Sequence, residues 1–281
     1  MLVMTSDRPR EISVRAYGTG GVTVVVLHGG PGAPGSVASL ARALAPNFHI
    51  LEPLQRHSGE TPLTVAQHVD DLAQVLPGRT HIVGWSWGAM LSLSFTAEHP
   101  ELVSSLALVG CGTYDVTARR SYQRAMKERL GPENVARIRA LTERAVTATP
   151  DERSHLLDER ARISNQAQSV DLVEDGTADL LPDTQGHDET WHDVIRRQED
   201  GIEPMAFTSI SSPVVMLHGD DDPHPGEATF ETLKSVMPQL AYKSFRHCGH
   251  MPWLERRART DFLETLRAWI MSHARGLERE P

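Results

Sequence analysis

His81-Ile82-Val83-Gly84-Trp85-Ser86-Trp87-Gly88-Ala89-Met90 is the stretch that decides how this chain folds. A short β-forming run enters Gly84, and from Met90 to Glu98 the pattern is that of a helix, which Pro100 stops. A serine with glycine two places away on either side, set between a strand and a helix, describes a turn too tight for side chains at its flanks. Such a turn strains the backbone of Ser86 and lifts its hydroxyl to the tip of the strand. Without that context, a GxSxG pattern is a serine in an ordinary loop.

Working outward, short apolar runs alternate with helical patterns, the signature of βαβ units and a mostly parallel sheet. Val22 to His28 is nearly all β-branched, as a strand buried on both faces should be, and it stops at Gly29-Gly30-Pro31-Gly32. Phe48 to Leu51 reads as the next strand. Thr64 opens a helix with a capping box to Gln67, and Val65, Val69, Leu72 and Leu76 recur at helical spacing before Pro77-Gly78. Ser105 to Val109 supplies another strand.

From residue 112 to 207 the chain turns charged and helical in rhythm, with no convincing strand, and is expected to form a helical cap. The core, residues 1–111 and 208–281, resumes with the strand Pro213 to Leu217, a helix from Ala228 to Val236 and a last strand from Leu240 to Phe245. An amphipathic helix carrying Phe262, Leu263, Leu266, Trp269 and Ile270 closes it, and residues 275–281 are expected to fray. The expected fold class is α/β, with a mostly parallel central sheet flanked by helices.

Bulk properties narrow the partners. The 281 residues carry 28 Lys and Arg against 37 Asp and Glu, a formal charge of -9, which gives no electrostatic reason to approach nucleic acid or an anionic membrane. No run approaches the roughly 18 apolar residues of a membrane span, and the first eleven residues lack a signal-peptide core. Two cysteines, Cys111 and Cys248, make no disulfide framework, so a reduced cytoplasmic setting is expected.

A serine hydroxyl attacks only when a base removes its proton, and that base must be oriented by an acid. Both follow Ser86 in the chain, each after a strand. His218-Gly219-Asp220-Asp221-Asp222-Pro223 offers three acids, of which Asp222, before Pro223, is best placed to turn its carboxylate toward a histidine; Asp220 and Asp221 read as turn or solvent residues. His247-Cys248-Gly249-His250 offers two bases, His250 preferred for its position after glycine. His224 reads as a neighbour of the acid or as exposed. The backbone N–H groups of Trp87 and Gly30 are the candidate donors for a developing oxyanion. No metal or cofactor is expected: HExxH is absent, and two cysteines cannot build a thiolate zinc site. Cys248 reads as a packed thiol.

These motifs resemble a family. His28-Gly29-Gly30-Pro31-Gly32 together with Gly84-x-Ser86-Trp87-Gly88 is similar to the proline iminopeptidase branch of the α/β hydrolases, and Gly219-x-x-Asp222 and Gly249-His250-x-Pro252 match the acid and histidine loops of that family. The resemblance implies an α/β-hydrolase fold with a Ser86, Asp222 and His250 triad. One stretch departs: where iminopeptidases carry Asp-Gln-Arg-Gly-x-Gly-x-Ser, this chain has Leu54-Gln55-Arg56-His57-Ser58-Gly59-Glu60-Thr61. The leading acid is lost, and His57 is expected in the pocket with Gly29 and with Trp191 as an apolar wall. Recognition of a free amino group would need carboxylates from the cap, for which Glu174, Asp175, Glu199, Asp200 and Glu203 are candidates.

Two classes of function follow. One is a serine hydrolase acting on a small ester or amide through an acyl-enzyme on Ser86, with esterase and iminopeptidase both open. The other is a small-molecule receptor on a hydrolase scaffold, against which the full set of catalytic residue types argues.

Overall fold

The structure, a computed structural model, describes residues 12–174, 178 and 180–274. The first eleven residues, Asp175 and residues 275–281 lie outside the described residues, so the expectations of a frayed tail and of a role for Asp175 fall there too.

Seven strands form one sheet: β1 (Val14–Tyr17), β2 (Thr23–Leu27), β3 (His49–Pro53), β4 (Thr80–Trp85), β5 (Val103–Val109), β6 (Val214–Gly219) and β7 (Ala241–Phe245). Their order is β1-β3-β2-β4-β5-β6-β7, with β1 antiparallel to β3 and every other pairing parallel. The expected α/β class with a mostly parallel sheet is therefore what forms. Alternate residues of each central strand serve opposite faces, and both faces are covered. Val25, Leu27, Ile82, Leu106 and Leu108 pack under α2 (Val65–Val75) and α3 (Trp87–Glu98). Val24, Val26, Val83, Ala107 and Val109 pack under α1 (Ala38–Leu44) and α8 (Arg259–Ala274). Double coverage is why Val24 to Leu27 read as an unbroken apolar run, each fully buried side chain contributing about 1.5–3 kcal/mol.

Two elements were not anticipated. β1 alternates exposed and half-buried positions at the sheet edge, and α1 is seven residues long with no side-chain cap at Val37. β4 also continues through Gly84 to Trp85, and α3 starts at Trp87 rather than Met90, so one residue, Ser86, separates strand from helix.

Between β5 and β6 lie α4 (Val116–Thr147), α5 (Pro150–Ala167) and α6 (Thr184–Glu199). No named strand occurs there among the described residues. α4 breaks at Gly131, whose φ of +68° precedes Pro132, and it joins α5 through a small core of Leu141, Ala145, Leu156 and Leu157. α7 (Gly226–Lys234) follows β6. Among the described residues no helix is long and apolar enough to cross a membrane. Because the parallel strands run the same way, the ends of β2, β4, β5, β6 and β7 deliver their loops to one edge of the sheet.

Candidate active site

Ser86 sits at the end of β4 with φ +54° and ψ -116°, a backbone conformation that an ordinary side chain adopts only when its surroundings impose it. Two close approaches impose it here. A Cβ on Gly84 would stand 2.3 Å from the Gly88 carbonyl oxygen, and one on Gly88 would stand 2.3 Å from the Leu27 carbonyl oxygen. The start of α3 is thereby pressed onto β2. The Ser86 N–H donates to the Val109 carbonyl at 2.8 Å, fixing the turn to β5. Among the described residues the Ser86 hydroxyl and the N–H groups of Trp87 and Gly30 have no hydrogen-bond partner, and all three residues line one cavity of about 420 Å³.

His250 lines the same cavity. Its N–H donates to Gln168 O at 2.8 Å, its carbonyl accepts from Trp85 Nε1 at 2.9 Å, and the Trp85 ring stands 5.3 Å away. Gly110 leaves room for the imidazole, since a Cβ there would come within 2.9 Å of Nδ1. Glu255, fully buried, accepts from Gly249 N at 3.0 Å, Val170 N at 2.9 Å and Asp171 N at 2.7 Å, tying the histidine loop to the segment after α5. His247, the alternative base, is exposed at the turn with φ +51°.

Of the three neighbouring aspartates, Asp220 is exposed, Asp221 half-buried and Asp222 buried. The Asp222 Oδ2 accepts from His250 Nδ1 at 2.7 Å, and Oδ1 accepts from the His224 N–H at 2.8 Å and its Nδ1 at 2.9 Å. His218 Nε2 lies 3.4 Å from Oδ2. Burial alone would raise the Asp222 carboxyl, but His250, His218 and His224 around it outweigh that and hold it well below the usual carboxylate range. Burial pushes His224 down to about 4, so that ring is neutral near pH 7. Asp222, His224 and His250 bring a carboxylate oxygen and two ring nitrogens within 4.8 Å of one another, a set that could hold a metal ion among the described residues.

Trp191 also lines the cavity, stacked on His187. Gly29 does not; a Cβ there would strike the Trp85 ring at 2.5 Å, so its smallness serves packing. His57 is likewise placed elsewhere. Its side chain is 62% exposed and stands 3.7 Å from Asp183. The loop around it is anchored residue by residue, and none of residues 55–58 lines the cavity: Gln55 accepts from Trp87 Nε1 at 2.8 Å, Arg56 pairs with Asp71, and Ser58 binds Asp183 through its N–H and hydroxyl. Asp183 in turn donates its N–H to Gly32 O at 2.7 Å, joining the glycine loop to the start of α6.

None of Glu174, Glu199, Asp200 and Glu203 lines the cavity. Glu203 is buried against Arg197 and Ser94, and Asp200 pairs with Arg196. The acids on its wall are Asp158 and Asp183. Cys111 and Cys248 are buried and unpaired, and burial raises both thiols.

A sheet of this order with its candidate site side chains on the loops at one edge defines a class, and residues 22–256 match the model of the α/β hydrolase fold family; the chain belongs to that family. Its relatives are varied. It is 23% identical over 241 residues to the pimeloyl-[acyl-carrier protein] methyl ester esterase of Nitrosomonas europaea, covering 83% of this chain and 90% of that one. It is 36% identical to the proline iminopeptidase of Neisseria gonorrhoeae over 101 residues, about a third of each chain (32% and 33%). Among solved structures, a thermophilic esterase from Thermogutta terrifontis superposes with a TM-score of 0.62 over 94% of both chains at 19% identity.

Proposed function

We propose that this protein is a serine hydrolase that cleaves a small ester or amide through an acyl-enzyme on Ser86. The observation that carries the reading is the pairing of His250 Nδ1 with buried Asp222 at 2.7 Å in the cavity where Ser86 is presented at positive φ. Asp222 fixes the His250 tautomer with its Nε2 lone pair free to take a proton. As Ser86 Oγ attacks the substrate carbonyl, its proton passes to His250, which then gives it to the leaving group. The N–H groups of Trp87 and Gly30 receive the negative charge on the carbonyl oxygen. The Ser86–His250 hydrogen bond forms as substrate fills the site, as it commonly does in such enzymes. The helical stretch 112–207 acts as a cap, supplying Trp191 as an apolar wall.

An ester is the better fit than an aminoacyl substrate. The esterase match runs along most of the chain, whereas the iminopeptidase match covers a third of it; of the anticipated amine-binding acids, Glu174, Glu199, Asp200 and Glu203 do not line the cavity and Asp175 lies outside the described residues, while Asp158 and Asp183 on its wall were not among those anticipated. Ser86→Ala should reduce turnover of a p-nitrophenyl acyl ester by at least 10³-fold, on the order of losses at such nucleophiles, without altering the melting curve. Wild-type turnover in that variant overturns the assignment. A prolyl arylamide assayed beside the ester separates the two substrate classes.

A further inference from the structure

Next to His250 stands a second imidazole that this chemistry leaves unused. The rings of His224 and His250 stack with centroids 4.4 Å apart and 21° between planes, and Tyr122 covers the other side of His224 at 4.0 Å. One carboxylate serves both rings, each Asp222 oxygen accepting from one Nδ1. That arrangement puts the proton on Nδ1 of both and leaves a lone pair on both Nε2 atoms. His224 lines the cavity beside His250, and its Nε2 has neither a hydrogen-bond partner among the described residues nor a sealed position. With Nδ1 donating to Asp222, the outer nitrogen of this ring is an acceptor at the cavity wall.

The spacing suggests what it accepts. A water that donates both hydrogens, through bonds of about 2.8 Å diverging at about 105°, joins two acceptors about 4.4 Å apart. The centroids of the two near-parallel imidazoles stand 4.4 Å apart, a separation of that order.

We propose that His224 is the second arm of a clamp for the water that deacylates Ser86, a role that rests on the acyl-enzyme reading above. The water donates one hydrogen to His250 Nε2 and the other to His224 Nε2, which aligns its oxygen on the acyl carbon. As the new C–O bond forms, the first proton moves to His250. The second stays on the oxygen, hydrogen-bonded to His224. Collapse of the intermediate breaks the bond between the acyl carbon and Ser86 Oγ, and His250 returns its proton to that oxygen, releasing the acid and the free serine.

Methanol separates this role from mere support of His250. It carries a single hydroxyl proton, so it can reach His250 as a nucleophile but cannot span both rings. His224→Asn keeps a donor for Asp222 and removes the outer acceptor; His224→Gln restores an acceptor at the outer position. With p-nitrophenyl acetate and added methanol, the ratio of methyl ester to acetate is expected to rise about ten-fold in His224→Asn, the worth of one net hydrogen bond lost to water alone. His224→Gln should return toward the wild-type ratio. A ratio unmoved in His224→Asn, or moved equally in His224→Gln, overturns the clamp. Mass spectrometry of the quenched wild type tests the foundation separately: acetyl must appear on the Ser86 peptide and be missing in Ser86→Ala, and failure there removes the serine reading itself.

Discussion

Replacing Glu255 by glutamine tests whether the histidine loop is held by one buried carboxylate. Glu255 Oε1 accepts the Val170 and Gly249 N–H groups, and Oε2 accepts that of Asp171. Glutamine has nearly the same shape, but one oxygen becomes an NH₂ group. If the remaining oxygen keeps Val170 and Gly249, the new donor faces the Asp171 N–H, leaving a buried donor unsatisfied at a cost of about 1–3 kcal/mol. The two surviving bonds also lose the help of a full charge, about 1 kcal/mol each. The sum is about 4 kcal/mol, a large part of the roughly 5–15 kcal/mol that stabilises a domain. At about 2–4 °C per kcal/mol for a chain of this size, thermal melting should fall by roughly 10 °C. Hydrogen exchange should quicken first at Gly249 and Asp171. A variant that melts within a degree or so of wild type would show that the three bonds are not what secures the loop.

The choice among three aspartates is open to a direct comparison. Asp222→Asn is expected to lower kcat by on the order of 10³–10⁴-fold, since the wrong partner at Nδ1 disfavours the reactive tautomer, while exposed Asp220→Asn leaves it within twofold; comparable losses in both would refute the pairing. Stability should fall in mild acid. Burial lowers His28 and His224 to about 4 and His68 to about 3, against about 6.5 unfolded, so between those values the unfolded chain binds more protons. Their contribution is complete above about pH 6.5 and is lost as pH falls toward 4, at roughly 1 kcal/mol for each ring by pH 5.5. Urea midpoints that match at pH 7.5 and 5.5 would contradict it.

The central sheet was legible because strands buried on both faces have almost no freedom of composition: Val24 to Leu27 and Val214 to Leu217 announce themselves. β1 was not, since Val14–Tyr17 is short and only half-buried, and α1 was not, since four of its seven residues are buried and no cap marks its start. The start of α3 was read three residues late because Gly88 looks like a turn residue, whereas its missing side chain is what lets the helix touch β2. The spacing of Ser86, Asp222 and His250 was readable from strand ends and glycines. His224 was readable as a neighbour of the acid but not as a ring stacked on His250, and Glu255 was not readable at all, because each meets a partner that only the folded loops bring close: a ring from the β7 loop, and backbone amides from two separate segments. His57 was misplaced in the reading because its neighbours Gln55, Arg56 and Ser58 are all anchored, and their anchors lie far along the chain or on other elements.

The joint at Asp183 has a kinetic consequence. It grips Ser58 on one side and the Gly32 carbonyl on the other, while α6, which begins beside it, carries Trp191 into the cavity. Under the proposed mechanism, a substrate that pushes on α6 is expected to pull on the loop that aims the Gly30 amide. On that reading misfit reaches the group proposed to meet the forming charge, and discrimination between substrates is expected in turnover number more than in affinity.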